Sequence, residues 1–487
     1  MLTKYLIPIV FTIIYMCLPT HNSGIDGYAY ASSIRWGVDL IWPHHLLYTP
    51  LGRGIYLLMP FIEPLILMKL VNAIIAGCSL FVLQRILNRL QINNSSYFVL
   101  FTAACFGFMR FATENETYII PIFFSLLGSA FYLKYIHSQK KSSLLFSGFL
   151  FGMGVLFHQI HAMWYLGFIF AFWFSRPRVN WKSQLLFVFS GGFLILSIYI
   201  LAFFQDKLIS DKTFFQFLLS DVYAGRVQTG ININNFIMTP ISFIRTFIQV
   251  HGYMWKMFTD NPVLVVLPVT LLTVVFIGIK TMVKHSKFQT TKNALFSTAL
   301  LIAFSMQLGF AFYSVGNAEF MVMLPFLSIL WIACKVNITT KPILYISVAM
   351  LFWNLVFGLA PARFLELDPS KQILQMVETN PKDIWVLNDP QKVENMANYK
   401  GNSTLERIIL REDELQNYPE MQKGEDGGRN IYTDVFGSNT GVNRQSLLKK
   451  GDSNCAFENF KIIPVDTIYF YGGQRVVSRL AVRYSQF

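Results

Sequence analysis

Long apolar stretches recur along the first three quarters of this chain, and the charge of the connectors between them alternates from one connector to the next. Each stretch has about the length that crosses a ~30 Å hydrocarbon core as a helix. Connectors on the side of residue 1 carry lysine and arginine and no acidic residue. These basic residues are Lys4, Arg85, Arg89, Lys134, Lys140, Lys141, Arg176, Arg178, Lys182, Lys280, Lys284, Lys287, Lys292, Lys335 and Lys341. Because short cytoplasmic loops are enriched in such residues, the pattern predicts an integral membrane protein with a cytoplasmic N-terminus.

The composition agrees with this reading. Hydrophobic residues make up 54% of the chain and charged residues only 14%, which is too apolar for a set of soluble domains. The net charge of +13 comes mostly from the short basic connectors, so it indicates topology and argues against nucleic-acid binding. The five cysteines are scattered without a CxxC pair, which excludes a zinc cluster or a disulfide framework. We therefore expect neither a metal nor a cofactor.

The apolar stretches predict about eleven transmembrane helices, which places the C-terminus outside. They cover residues 2–19, 65–87, 97–109, 118–136, 144–157, 162–174, 185–204, 263–279, 294–312, 320–333 and 343–359. Two of them, 97–109 and 162–174, are short for a full crossing, so a re-entrant or tilted element is the alternative there.

We predict two domains, a transmembrane domain over residues 1–362 and a small extracytoplasmic α/β domain over residues 363–487. Two long outer loops, 21–64 and 205–261, belong to the first. The loop 21–64 is expected to form one or two interfacial helices, and the amphipathic run 236–258 is expected to lie on the outer leaflet. In the second domain, strands are predicted at 384–388, 430–435 and 462–471, with a helix at 390–399.

Residues that can carry chemistry are concentrated in the outer connectors. Asp26 stands between Gly24 and Gly27 just after the first apolar stretch, where it can serve as a general base or simply cap a turn. His44, His45 and Arg53 offer imidazole and guanidinium groups that suit a phosphate. Two adjacent histidines point in different directions, which disfavours a shared metal ion.

Three further connectors carry acidic residues or histidines. Arg110, Glu114 and Glu116 lie in a short hairpin that can bind a sugar, pair with the first loop, or be an ordinary polar loop. His158 and His161 have the i, i+3 spacing that places both rings on one face of a helix, with interfacial anchoring as the alternative. Glu319 stands at the outer mouth of a later stretch.

Taken in order, these segments resemble the GT-C superfamily of membrane glycosyltransferases, in particular its protein O-mannosyltransferase-like and bacterial lipid A sugar transferase-like branch. The resemblance covers roughly residues 1–361. It rests on GIDGYAYA and WPHHLLYTPLG in the first loop, ENETYIIPIFFSLLGSAF, GFLFGMGVLFHQIH and AEFMVMLPFL. Each motif is weak by itself, and the specificity comes from their order and the topology.

The resemblance implies an enzyme that moves a sugar from a polyprenyl-phosphate-linked donor to an acceptor hydroxyl on the outer face of the membrane, with inversion. Asp26 corresponds to the family's catalytic base, and Asp39 is the second choice because the adjacent Asp-Glu pair of many O-mannosyltransferases is absent. The donor phosphate is expected to contact residues among His44, His45, Arg53, Arg110, His158 and His161. Glu114, Glu116 and Glu319 are the expected acceptor or sugar ligands. A bacterial inner membrane is the expected location.

Other functions stay open at this point. A polyprenyl-linked glycan polymerase or ligase has a similar topology, but arginines are expected to dominate its long outer loop, whereas 205–261 mixes acids and bases. A transporter is expected to carry charges or broken helices at mid-membrane and internal repeats, and a non-catalytic scaffold needs no Asp26. The sugar, the carrier lipid and the acceptor, whether lipid, glycan or protein, are not fixed by the sequence.

Overall fold

The computed structural model is predominantly helical and describes most of the chain. The described residues are 5–174, 179–207, 210–223, 230–250, 252–288, 293–337, 340–412, 414, 429–439, 457 and 460–482. Lys4, Arg176, Arg178 and Lys292, which contribute to the predicted charge alternation, lie outside them.

The chain divides into two compact units. The first unit comprises Met1–Pro19, Asp39–Gln249 and Val265–Leu359, and the second comprises Thr20–Val38, Val250–Leu264 and Ala360–Phe487. The helices in chain order are α1 Leu6–Cys17, α2 Ile25–Trp36, α3 Tyr48–Leu58, α4 Pro64–Arg89, α5 Ser95–Ala103, α6 Phe106–Ala112, α7 Ile119–Ser138, α8 Lys141–Phe157, α9 Ala162–Phe170, α10 Trp181–Lys207, α11 Phe214–Leu218, α12 Ser220–Tyr223, α13 Ile233–Phe247, α14 Tyr253–Asp260, α15 Val266–His285, α16 Ala294–Tyr313, α17 Leu324–Lys335, α18 Thr340–Asn354, α19 Ala360–Phe364, α20 Ser370–Thr379 and α21 Pro390–Lys400. The strands are β1 Lys287–Phe288, β2 Val336–Asn337, β3 Ile384–Val386, β4 Ile409–Leu410, β5 Ile431–Thr433, β6 Gly437–Asn439, β7 Phe460–Phe470 and β8 Gly473–Val482.

Several helices match the predicted membrane spans. Within the described residues, seven helices are long and apolar enough to cross a bilayer, or eight if α5 and α6 are counted as one bent span. Three shorter apolar helices, Leu6–Cys17, Lys141–Phe157 and Gln159–Phe174, accompany them. The predicted stretch 97–109 is broken, because α5 and α6 meet at 67°. The predicted number of eleven crossings stays a prediction.

Two long helices carry apolar surfaces that the rest of the protein does not cover, and these surfaces show that the chain is an integral membrane protein. Only 11% of the most apolar window of Pro262–His285 is buried in the protein, and only 22% of that of Trp181–Asp206. Surfaces of this length and apolarity are stable in contact with lipid and unstable in water.

Glycines bring the membrane helices into close contact. A Cβ atom at Gly191 on α10 would lie 2.4 Å from the carbonyl oxygen of Gly148 on α8, and one at Gly148 would lie 2.3 Å from the carbonyl oxygen of Phe187. Helices in lipid lack a hydrophobic driving force for association, so small residues at their contacts gain van der Waals packing instead. The α8–α10 pair therefore depends on these glycines.

The predicted amphipathic run 236–258 covers parts of two helices, α13 and α14. In α13 several polar side chains are buried while several apolar ones are exposed, as Asn235 and Phe236 illustrate with 0% and 62% exposure. The Asn235 amide donates hydrogen bonds to the carbonyl oxygens of Gly230 and Phe312. An outward apolar face of this kind suits contact with the apolar part of a membrane.

The second unit contains a six-stranded sheet in the order β4-β3-β5-β8-β6, with β7 also paired to β8. Strand β3 is parallel to β4 and β5, whereas β8 is antiparallel to β5, β6 and β7. Helix α21 connects β3 to β4. The three predicted strands and the predicted helix 390–399 are confirmed by β3, β5, β7 and α21, and with them the α/β class of the C-terminal part.

The loop predicted at 21–64 forms two helices, α2 and α3, that belong to different units. Helix α2 packs on α21 in the second unit. There the Trp36 indole N–H donates to the carbonyl oxygen of Asn398 at 2.8 Å, and the Arg35 guanidinium lies 5.1 Å from the centre of the Tyr399 ring. The Asn395 amide donates to the carbonyl oxygen of Ile25 at 3.1 Å.

Candidate functional site

Polar side chains from several distant segments of the first unit meet in one largely buried group, which we call the polar cluster. Its members are His44, His45, Tyr48, Lys69, Asn72, Glu114, Asn115, Glu116, Tyr118, His158 and Glu319. The segments that carry them are the predicted outer connectors together with the first turns of α4. The structure thus brings together most of the residues that the sequence singled out.

The histidines of the cluster are held by backbone contacts between two loops. The backbone N–H of Gln159 donates to the carbonyl oxygen of His44 at 3.1 Å, and that of Leu47 donates to Leu156 at 3.3 Å. As a result the His45 ring lies 4.3 Å from that of His44 and 4.4 Å from that of His158, centre to centre.

His158 does not lie on a helix, so the predicted helical face shared with His161 is wrong. Its backbone is extended (φ −161°, ψ 119°), and it caps the short 3₁₀ helix Gln159–His161. The two rings consequently have different partners. His161 Nδ1 lies 2.7 Å from Ser125 Oγ, and its ring stacks on Trp164.

Burial keeps two of these histidines neutral. Burial lowers the pKa of His45 well below its usual value, and the neighbouring His158 and His44 rings lower it further. The pKa of His158 is lowered in the same way, first by burial and then by His161 and His44. Neutral imidazoles have one N–H donor and one acceptor each.

The His158 ring has a donor nitrogen for which the described residues supply no acceptor. His158 Nδ1 accepts a hydrogen bond from the backbone N–H of Ile160 at 3.3 Å, which assigns the proton to Nε2. Nε2 is buried and has no hydrogen-bond partner among the described residues. A buried donor of this kind costs free energy unless a ligand or water accepts from it.

The acidic turn Glu114–Glu116 is fixed by α4. The Asn72 amide donates to the carbonyl oxygens of Glu114 and Glu116, each at 2.7 Å. Lys69, one turn earlier on α4, forms a buried ion pair with Glu114 at 3.9 Å. Tyr48 donates to Asn115 Oδ1 at 2.8 Å, which attaches α3 to the same turn.

Tyr118 connects the histidines to Glu319. Its hydroxyl donates to Glu319 Oε2 at 3.1 Å, and its ring lies 4.9 Å from that of His158. Glu319 stands on a 3₁₀ helix that Asn317 caps. The preceding Gly316 has φ +63°, and a Cβ there would lie 2.5 Å from the backbone of Thr239, so this tight turn requires glycine.

The two predicted arginines and the two predicted aspartates lie outside the contacts described above. Arg53 is half-buried on α3, with its guanidinium 5.8 Å from the Tyr56 ring centre, and Arg110 is exposed at the end of α6. Asp39 is exposed in the first unit with φ +48°. Asp26 belongs to the second unit, where it is exposed in the first turn of α2.

Five members of the cluster were not among the predicted site residues: Tyr48, Lys69, Asn72, Asn115 and Tyr118. Lys69 and Asn72 had a readable signal, because both stand in the apolar run PLILMKLVNAII. Lysine and asparagine inside a membrane helix are costly and usually face a partner within the protein. The two tyrosines carry no comparable signal.

The second unit has its own polar cavity of about 230 Å³, at the carboxyl ends of β3 and β5. It is lined by Asp368, Asp389, Asp434, Lys392 and Arg475, among others. Burial raises the pKa of Asp434 to about 6, although the Asn388 backbone N–H donates to it at 2.7 Å. Burial also raises the pKa of Asp368, but the Lys392 ammonium at 2.8 Å and the hydrogen bonds from Ser370 together outweigh burial, so the net pKa is lowered.

The described residues of the polar cluster and of the cavity in the second unit do not form a cluster of metal ligands. Among the described residues no three or more His, Cys, Asp or Glu side chains are arranged to hold a metal ion.

No family model and no curated protein matches the chain. Solved structures do show similarity over most of its length. ArnT from Cupriavidus metallidurans bound to undecaprenyl phosphate is 10% identical, with a TM-score of 0.45, over 98% of this chain and 97% of ArnT. The oligosaccharyltransferase AglB from Archaeoglobus fulgidus, in complex with an inhibitory peptide and a dolichol-phosphate, is 10% identical, with a TM-score of 0.49, over 89% of this chain and 68% of AglB.

At these identities and TM-scores, a function has to be argued from the chain's own residues.

Proposed function

We propose that this protein is a membrane glycosyltransferase that moves a sugar from a polyprenyl-phosphate-linked donor to an acceptor hydroxyl on the outer face of the membrane. The observation that carries the proposal is the polar cluster, in which Tyr118 connects a buried imidazole donor to the carboxylate of Glu319 in a membrane-embedded unit. The buried Nε2 of His158 is its clearest functional feature.

The histidines suit the phosphate of the donor. Phosphate oxygens accept hydrogen bonds strongly, and the neutral His158 ring presents an N–H without a described acceptor. In a buried site the attraction between this donor and the developing charge on the leaving phosphate is stronger than in water. We assign the phosphate contact to His44, His45 and His158, and we assign a positioning role to His161, which Ser125 and Trp164 hold.

The acidic residues suit the sugar. Glu319 accepts from Tyr118 through Oε2, and its other carboxylate oxygen is of the type that accepts from sugar hydroxyls. Glu116 is assigned to the same task. Glu114 is engaged with Lys69 and holds the turn in place.

The proposed reaction is a single displacement with inversion. The acceptor oxygen attacks the anomeric carbon and forms the new glycosidic bond while the bond from that carbon to the phosphate oxygen breaks. The bonding electron pair goes to the phosphate oxygen, and the acceptor's proton goes to Asp26, the proposed general base. The products are the glycosylated acceptor and the polyprenyl phosphate. Asp39 is the second choice for the base.

The proposal gives this chain the class of lipid found with the similar structures, undecaprenyl phosphate with ArnT and dolichol-phosphate with AglB. The acceptor is a lipid, a glycan or a protein. The proposed location is the bacterial inner membrane, with the N-terminus in the cytoplasm and the C-terminal domain outside.

The test is sugar transfer by the purified protein in liposomes that contain radiolabelled polyprenyl-phosphate sugars. We expect Asp26→Asn to lower the rate by at least about 100-fold, the usual contribution of a general base. Asp211→Asn is the matched control, because Asp211 is exposed in another outer connector. Its transfer rate should equal that of the wild type.

A second pair of variants tests the histidines. His158→Ala should lower the affinity for the donor roughly 10- to 100-fold, because a hydrogen bond to a charged group is lost. His137→Ala, at the exposed far end of α7, is the control. Equal transfer by Asp26→Asn and the wild type would move the base to Asp39. Equal donor affinity for His158→Ala and the wild type would refute the phosphate assignment.

A further inference from the structure

A groove of about 430 Å³ runs between α4 and α7, both candidate membrane spans of the first unit. Its lining is apolar over most of its length, with Cys78, Phe81 and Phe123 toward one end. Toward the other end it is lined by the basic residues Arg85, Arg89 and Lys134, and its lining includes no carboxylate from the part of the chain that the structure describes.

The three basic side chains share one end of the groove because α4 and α7 both end there. Arg85 and Arg89 lie in the last turns of α4, and Lys134 lies in the penultimate turn of α7. Arg89 donates to the carbonyl oxygen of Ala130 across the groove at 3.3 Å, and all three basic residues are exposed.

The length of the groove matches one leaflet of a bilayer. From Cys78 to Arg89 the axis of α4 rises about 16 Å. Half of a ~30 Å hydrocarbon core is about 15 Å. An acyl chain that fills the apolar part of the groove therefore brings its headgroup to the level of the three cations.

We propose that this groove binds an anionic glycerophospholipid, with an acyl chain between α4 and α7 and the phosphate against Arg85, Arg89 and Lys134. Charge complementarity selects an anionic headgroup, since three cations with no carboxylate among the described residues of the lining attract phosphate and do not favour a zwitterion. Basic pockets between membrane helices commonly bind such lipids. The predicted topology places this end of the helices on the cytoplasmic side.

The lipid site is separate from the proposed transfer chemistry. Arg85 lies about 20 Å further along α4 than Asn72, a member of the polar cluster. Loss of the lipid should therefore leave donor binding by the polar cluster intact, and failure of either proposal leaves the other testable.

The experiment is native mass spectrometry of the full-length protein, released from mixed micelles that contain equal amounts of phosphatidylglycerol and phosphatidylcholine. We expect one phosphatidylglycerol to be retained in preference to phosphatidylcholine. The double variant Arg85→Gln, Lys134→Gln should lower this preference roughly 20- to 30-fold, since each cation near a headgroup contributes about fivefold. Lys141→Gln, which changes an exposed basic residue outside the groove, is the control.

A steric variant separates the groove from the charges. Ala130→Trp fills the groove and keeps all three cations, and we expect it to lose the retained lipid while the protein stays monodisperse. Equal retention of both phospholipids by the wild type would overturn the proposal. So would unchanged preference in the double variant, or displacement of phosphatidylglycerol by equimolar undecaprenyl phosphate.

Discussion

The buried ion pair between Lys69 and Glu114 gives the sharpest quantitative test of the polar cluster. Their charged atoms lie 3.9 Å apart, and the side chains are 5% and 8% exposed. At an effective dielectric constant of about 20, two unit charges at this distance attract by roughly 4 kcal/mol. Removal of one partner leaves the other charge buried in a membrane-embedded unit, and breaking such pairs typically costs about 3–5 kcal/mol.

We therefore expect Lys69→Met and Glu114→Gln each to lower the free energy of unfolding by about 3 kcal/mol or more. The double variant should recover much of the loss, because neither charge is left without the other. The assay is unfolding in mixed micelles by titration with a denaturing detergent, followed by tryptophan fluorescence. The coupling free energy comes from the double-mutant cycle.

The second unit offers a matched control pair. Lys400 and Glu378 lie closer together, at 3.0 Å, but are 46% and 25% exposed. Exposed pairs contribute at most about 1 kcal/mol, so the cycle on this pair should give a coupling below that value. A coupling for Lys69 and Glu114 no larger than that of the exposed pair would refute the view that burial makes this interaction strong.

Three further outcomes are expected. Gly191→Ala should destabilise the protein by about 1–3 kcal/mol, because its Cβ would lie 2.4 Å from the carbonyl oxygen of Gly148. At Gly192 an added Cβ would meet no heavy atom within 4 Å outside the backbone of its own helix, so Gly192→Ala should be neutral or slightly stabilising. Melting temperatures in detergent would compare the two variants. Burial raises the pKa of Asp434 from 3.8 to about 6, so the protonated carboxyl group stabilises the folded protein. This stabilisation is complete below pH 4 and is lost as the pH rises through 6. The loss is about 3 kcal/mol, and Asp434→Asn should flatten this decline in a fluorescence-monitored pH series. Tyr118→Phe removes the hydroxyl donor to a cluster carboxylate and should lower kcat for sugar transfer about tenfold, which steady-state kinetics would measure.

Much of the secondary structure could be predicted from the sequence, because the residue patterns that favour helices and strands are local. The runs IWVLN and NIYTDV are rich in β-branched and aromatic residues, and the structure places β3 and β5 there. The long apolar stretches likewise became helices. In each case the composition of one segment was enough to predict its conformation.

Features that depend on contacts between residues far apart in the sequence could not be predicted in the same way. Helix α2 belongs with α21, through a hydrogen bond between residues 370 positions apart, and nothing in GIDGYAYA indicates that partner. His158 is extended and not helical because the loop of His44 pairs with the backbone beside it. Spacing along the chain could not predict this pairing.

The candidate site was predicted in part for the same reason. Charged and histidine residues in outer connectors were visible in the sequence, and most of them meet in the polar cluster. Tyr118 was not singled out, because an aromatic residue at the start of a span is ordinary. Its role becomes visible only through its contacts with His158 and Glu319.

The most direct test of the central claim is the release of polyprenyl phosphate by the wild-type protein, reconstituted in liposomes with a panel of polyprenyl-phosphate sugars and a membrane extract as acceptor. The account predicts that one donor loses its labelled sugar to a new product while polyprenyl phosphate accumulates in equal amount. It also predicts that His158→Ala slows both events and that His137→Ala slows neither. Failure of every donor to release its sugar, or release that is the same in His158→Ala and the wild type, would contradict the account.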